Sequence, residues 1–171
     1  MKFTITKSRR YVEMNKAVFA GSFDPFTNGH LSIVKRCARM FDEVTIIIGN
    51  NSTKERTFHD EYMKDAIDEL LREEKLNNCN VIIFNGMIAL YCKDHGIDYT
   101  VRGIRNNMDF NYEDVITKVN KILNPSLETV YLPSDDDGLS SSMIREFIHH
   151  NIDVHEFVPY SINRLIESGM Y

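Results

Sequence analysis

The stretch that decides the fold is AVFAGSFDPFTNGH, residues 17–30. Ala17–Ala20 is a short apolar run of the kind that forms a buried strand. Gly21 to His30 then sets Asp24-Pro25 and Asn28-Gly29, both turn-forming pairs, around Ser22, Phe23 and Thr27. Leu31, Val34, Ala38 and Phe41 follow at helical spacing. A strand, a polar loop and a helix therefore succeed one another. The loop reads either as a plain turn or as the seat of a charged ligand. Gly29 permits close backbone approach. His30 stands where the helix begins, where unpaired N–H groups and the macrodipole favour an anion.

The same order recurs along the chain. Val44–Ile48 (VTIII) is a continuous β-branched run, typical of a parallel strand covered on both faces. His59 to about Glu74 reads as a helix with Tyr62, Met63, Ala66, Ile67, Leu70 and Leu71 on one stripe. Asn80–Phe84 is a strand, Met87–Lys93 a short helix, and Tyr99–Val101 a short strand ending at Arg102. Met108–Leu123 is a longer helix stopped at Asn124-Pro125, and Thr129–Leu132 is a further strand. Ser140–His149 and Ser161–Ser168 close the chain as helices. This alternation predicts an α/β, Rossmann-like doubly wound sheet of about five parallel strands with flanking helices in a single domain. Ligands of such sheets bind at the carboxyl ends of the strands. The loops after Ala20, Ile48 and Val101 are thus the ones to inspect.

The chain has 171 residues, 43% hydrophobic and 26% charged, with a formal net charge of -5. That size suits one domain. The acidic balance argues against nucleic acid as a broad partner. Three cysteines, Cys37, Cys79 and Cys92, are an odd count without close spacing, and read as free thiols of a reducing, cytoplasmic compartment. No apolar stretch approaches the about 20 residues of a membrane span. Residues 1–15 read as an N-terminal extension ahead of a domain over 16–171, with Met14 a candidate start.

Asn51, Ser52, Thr53 and Lys54 follow VTIII, and Arg102-Gly103-Ile104-Arg105 follows the Tyr99–Val101 strand. Two arginines about a glycine can clasp a phosphate with bidentate hydrogen bonds. A single loop cation is ordinarily just solvated; Lys54, Arg102 and Arg105 meeting at one sheet edge of an acidic chain point to a polyphosphate or nucleotide. Ser140-Ser141-Ser142 precedes Met143, Ile144 and Arg145. One of these serines is accounted for as a helix N-cap; the three hydroxyls with the helix N–H groups also make a second anion site. By itself Glu113 reads as a solvated helix face, and Phe110 and Tyr112 as core. The chain carries no G-x-x-x-x-G-K-[ST], G-x-G-x-x-G or H-E-x-x-H motif, which argues against a P-loop kinase, a dinucleotide oxidoreductase and a zinc protease.

Thr27-Asn28-Gly29-His30 matches the T/H-x-G-H motif of the HxGH nucleotidyltransferases, and Leu139–Arg145 resembles their I-S-S-T/S-x-x-R motif. Arg102-Gly103-Ile104-Arg105, Asp109-Phe110-Asn111-Tyr112-Glu113 and Asn120 make the sequence most similar to the phosphopantetheine adenylyltransferases, from about Lys16 to the C-terminus. The resemblance implies transfer of the adenylyl group of ATP to 4'-phosphopantetheine, giving dephospho-coenzyme A and pyrophosphate, with Mg²⁺ accompanying ATP. It implies that His30 stabilises the transition state. Ser22, Phe23, His30, Gly103, Ile104, Arg105, Glu113, Ser140, Ser141 and Ser142 would hold ATP. Ser22, Lys54, Met87, Ile88 and Arg102 would hold phosphopantetheine. No protein ligand to a metal is implied. The resemblance also implies a homohexamer and possible feedback by coenzyme A. Two alternatives stand beside it: an adenylyltransferase of the nicotinate mononucleotide type, and a catalytically silent protein that binds nucleotide or coenzyme A. The segment Pro133–Gly138 departs from the family pattern, being shorter and carrying Asp135, Asp136 and Asp137.

Overall fold

A computed structural model describes residues 14–49, 56–104, 107–134 and 139–169, with the backbone alone for 107–112. Residues 1–13, Lys54, Arg105 and Asp135–Asp137 lie outside the described set. The elements run β1 (Lys16–Gly21), α1 (Asn28–Met40), β2 (Glu43–Gly49), α2 (Asp60–Glu73), β3 (Cys79–Phe84), α3 (Ile88–His95), β4 (Tyr99–Ile104), α4 (Asn107–Leu123), β5 (Glu128–Pro133), α5 (Ser141–His149) and α6 (Tyr160–Glu167). The five strands form one parallel sheet in the order β3-β2-β1-β4-β5. The chain therefore builds outward from β1 to β3, returns through α3, and continues on the other side of β1.

The strands are apolar in both directions because both faces are covered. Ala17, Phe19, Val44, Ile46, Ile48, Val81 and Val101 share a core with residues of α1, α2, α5 and α6. Val18, Ile47, Ala89, Cys92, Ile97 and Leu127 form a smaller core on the opposite face, against α3 and the end of α4. Alternate residues of β1 and β2 thus go to opposite cores, as a period of two requires. The three thiols are free. Burial pushes Cys37 and Cys92 up to about 12 and Cys79 up to about 11, with the neighbouring Cys79 also raising Cys37. Among the described residues no helix is long and apolar enough to cross a membrane.

Two local expectations are corrected. β4 does not end at Val101: Arg102, Gly103 and Ile104 pair with Tyr131, Leu132 and Pro133 of β5. Ladder pairing with a neighbour overrides the weak strand preference of Arg-Gly. Asn28-Gly29 is not a separate turn but the first turn of α1, because Thr27 is its N-cap. Asp24-Pro25 does form a turn.

Candidate active site

The order of the strands places the point where the chain changes direction between β1 and β4. A cleft of about 330 Å³ opens at the carboxyl ends of these two strands. Its wall includes Ser22, Phe23, Gly29 and His30 from the first loop and α1. Arg102, Gly103 and Glu113 come from β4 and α4, and Ser140, Ser141 and Ser142 from the start of α5. Two helix N-termini, those of α1 and α5, border this space. Both bring N–H groups and positive dipole ends to it, which favours a phosphate.

His30 is oriented by its own helix cap. Thr27 accepts the His30 backbone N–H on its hydroxyl at 3.4 Å, and His30 Nδ1 accepts the Thr27 backbone N–H at 3.0 Å. A backbone amide can only donate, so Nδ1 carries no proton. The proton of the neutral ring therefore sits on Nε2, leaving a donor on the opposite edge. The ring is further boxed by Phe19, Phe23 and Phe26, with centroids 5.1–6.2 Å away.

The turn that precedes it is braced from outside. The Asp24 carboxylate is buried and accepts the backbone N–H groups of Phe58 at 2.8 Å and Thr57 at 3.2 Å. Arg145 donates to the Asp24 carbonyl and lies 3.7 Å from its carboxylate. Ser141 donates to the Pro25 carbonyl at 2.9 Å, and Arg145 donates to the Ser142 hydroxyl at 3.2 Å. Ser140 is the N-cap of α5, accepting from the Met143 N–H at 3.2 Å. Each of the three serines therefore has an intramolecular partner; Ser140 takes the capping role expected of one of them. Arg145 and Ser141 tie the 139–145 motif to the Asp24-Pro25 turn just ahead of the 27–30 motif, and residues of both motifs line the same cleft.

Arg102 and Glu113 form a fork-to-fork pair, Nε to Oε2 and Nη2 to Oε1, both 2.5 Å. Arg102 Nη1 also donates to the Ala20 carbonyl at 2.9 Å. Glu113 is thus not a solvated helix face, because the guanidinium beside it draws it into the cleft wall. A second, more apolar cavity of about 200 Å³ adjoins, lined by Met87, Ile88, Ile116, Thr117 and Asn120. Ala20 and Arg102 line both cavities, so Arg102 stands at the boundary between them.

Of the expected site residues, Ser22, Phe23, His30, Gly103, Glu113 and Ser140–Ser142 come together in the first cavity, and Met87 and Ile88 in the second. Phe23 is 2% exposed. Ile104 is not among the residues lining the cleft; its carbonyl accepts the Ser134 N–H at 2.8 Å. Lys54 and Arg105 lie outside the described residues. Arg56, which the sequence reading passed over, spans the loop ends: it donates to the carbonyls of Ser22 at 2.7 Å, Phe58 at 3.2 Å and Gly49 at 3.5 Å, and pairs with Asp60 at 2.6 Å.

The cytidylyltransferase-like family model matches residues 18–147. A phosphopantetheine adenylyltransferase of Cytophaga hutchinsonii is 43% identical over 148 residues, covering 85% of this chain and 97% of that relative. The chain belongs to the phosphopantetheine adenylyltransferase family. A second phosphopantetheine adenylyltransferase, from Streptococcus agalactiae, is 41% identical over 155 residues, covering 89% of this chain and 95% of that relative. Beyond this family the likeness is one of fold: the nicotinic acid mononucleotide adenylyltransferase of Plasmodium falciparum, complexed with NaAD, superposes with a TM-score of 0.66 at 15% identity, covering 92% of this chain and 97% of that one.

Proposed function

We propose that the protein transfers the adenylyl group of ATP to 4'-phosphopantetheine. One observation carries the reading: the family's two nucleotide motifs and Arg102 of the R-G-I-R segment line a single cleft. An oxygen of the acceptor phosphate attacks the α-phosphorus of ATP. The bond from that phosphorus to the bridging oxygen breaks, and pyrophosphate leaves with the electron pair. The step needs no protein nucleophile. It needs two anions held in line and charge stabilised as it redistributes.

In this reading the His30 Nε2–H donates to an oxygen of the α-phosphate in the transition state. The α1 and α5 N-termini and Ser22 hold the phosphates, with Gly103, Glu113 and Ser140–Ser142 on the nucleotide. Arg102 holds the acceptor phosphate at the boundary of the two cavities. Met87 and Ile88 accommodate its pantetheine arm. Lys54 and Arg105 keep their family roles as further cations.

Mg²⁺ belongs to the reading as an ion carried on ATP. The carboxylate in the described wall of the main cleft is Glu113, and both its oxygens engage Arg102. The other polar groups of the described wall are hydroxyls, amides, the Arg102 guanidinium and the His30 imidazole, a set that suits oxyanions, so the ion would come held on the phosphate oxygens of ATP. When bound it offsets part of the triphosphate's negative charge. A homohexamer in the cytoplasm, with feedback by coenzyme A, completes the reading. The exposed stripe Val115, Val119 and Ile122 on α4 supports an assembly face.

The test is direct. Purified protein with MgATP is offered 4'-phosphopantetheine or nicotinate mononucleotide, and pyrophosphate and the adenylylated product are measured. Dephospho-coenzyme A is expected with the first acceptor. Product from the second alone, or from neither, rejects the assignment.

A further inference from the structure

Phe23 has a positive φ of 45°, a conformation that costs a bulky side chain about 1–3 kcal/mol. Something must hold it there. Its ring packs on Phe19 and Phe26 at 5.3 Å and edge-on to His30 at 5.1 Å. The ring also lies over Gly21, where a Cβ would come within 2.8 Å of it. On the other side, Arg56 Nη2 donates to the Ser22 carbonyl at 2.7 Å. The Arg56 side chain is itself held, 13% exposed, by Asp60 and by the carbonyls of Phe58 and Gly49.

The Ser22–Phe23 peptide is trans, the one cis bond among the described residues being Asp24-Pro25. In a trans peptide the carbonyl and the N–H point in opposite directions. A Ser22 carbonyl turned onto Arg56 therefore turns the Phe23 N–H away from Arg56. Ser22, Phe23 and His30 line the cleft, while Arg56 does not. We propose that Arg56 is a positioning residue: it clamps the Ser22–Phe23 peptide so that the Phe23 N–H faces the cleft and donates to a phosphate oxygen of the nucleotide. Lysine at this position would offer a point charge to one carbonyl, not a planar fork spanning three. The inference rests on the adenylyl-transfer reading for its effect on rate, but not for its effect on nucleotide binding.

The experiment follows the Phe23 amide proton by ¹⁵N-resolved NMR while α,β-methylene-ATP is added. In the wild-type protein the resonance moves downfield as the hydrogen bond forms. In Arg56→Ala the movement is lost, and kcat with MgATP and 4'-phosphopantetheine falls about tenfold or more. Arg56→Lys recovers part of both. A wild-type Phe23 amide that stays in place when the analogue binds overturns the proposal and needs no variant. So does an Arg56→Ala or Arg56→Lys enzyme whose only change is in Tm or in the acceptor KM. If the wild type binds the analogue and shifts the Phe23 resonance but makes no dephospho-coenzyme A, the acceptor assignment fails and the clamp stands.

Discussion

Replacing His30 with alanine removes two groups with different jobs. Nδ1 caps the Thr27 N–H; His30 also lines the cleft. Loss of a cap costs about 1 kcal/mol of stability, and loss of one preorganised transition-state donor costs about 100- to 1,000-fold in kcat. His30→Ala is therefore expected to melt slightly lower, to bind ATP with nearly unchanged Kd, and to turn over at least about 100-fold more slowly. Calorimetric titration beside steady-state kinetics checks this. A variant with wild-type kcat removes His30 from the chemistry. The residue was legible in the sequence not from the Gly-His pair, which is common, but from its place at a helix start after a strand and from the Thr27-Asn28-Gly29-His30 motif. Arg56 was not, because it acts through the carbonyls of Ser22, Gly49 and Phe58. Carbonyls belong to every residue type, so no side-chain pattern announces the contact.

The loop between β1 and α1 is held as an element by Asp24. Its carboxylate takes two amides from the approach to α2, and Arg145 reaches it and its carbonyl from α5. Asp24→Ala leaves these partners unmatched in a buried place. We expect a loss of about 2–4 kcal/mol of stability, measured by urea unfolding, and a fall in activity larger than the fall in folded fraction. Asp24-Pro25 was readable as a turn, but its carboxylate's partners are 33 and 34 residues away. Contacts of that separation leave no local periodicity. The early end expected for β4 has a related cause. Arg and Gly are weak strand formers, and only the partner strand β5 makes them extended.

At the scale of the molecule, the alternation of apolar runs and amphipathic segments was enough to predict a parallel α/β sheet. It could not supply the order β3-β2-β1-β4-β5, since that depends on which way each crossover travels. The C-terminal segment is tied back to the site: the Phe157 carbonyl accepts the Asn28 N–H at 3.1 Å, and the Glu156 carbonyl accepts the Asn28 side chain at 2.9 Å. Next to them His155 bridges Glu167 and Asp153. Hydrogen bonds to Glu167 and then Asp153 raise the His155 pKa, and the His155 backbone N–H and ring lower that of Asp153. A raised histidine contributes stability that is fully present below its unfolded value, about 6.5, and is lost as pH rises through the folded value. His155→Gln should therefore show a small Tm deficit at pH 6 that disappears by about pH 9. A deficit that grows with pH contradicts this pairing.

The return of the chain through α3 also makes the molecule divisible. Gly96 ends α3 in the left-handed region, with open space where a Cβ would stand. A cut there leaves Ser22, His30, Arg56 and Met87 on one fragment, and Arg102, Glu113 and Ser140–Ser142 on the other. Neither piece holds a whole cleft, and they rejoin by zipping β4 against β1 and seating α6 on α2, where Arg164 pairs with Glu69 and Glu73. Fused to two other proteins, the halves would report the meeting of those proteins as pyrophosphate release, a chemical signal that amplifies with every turnover.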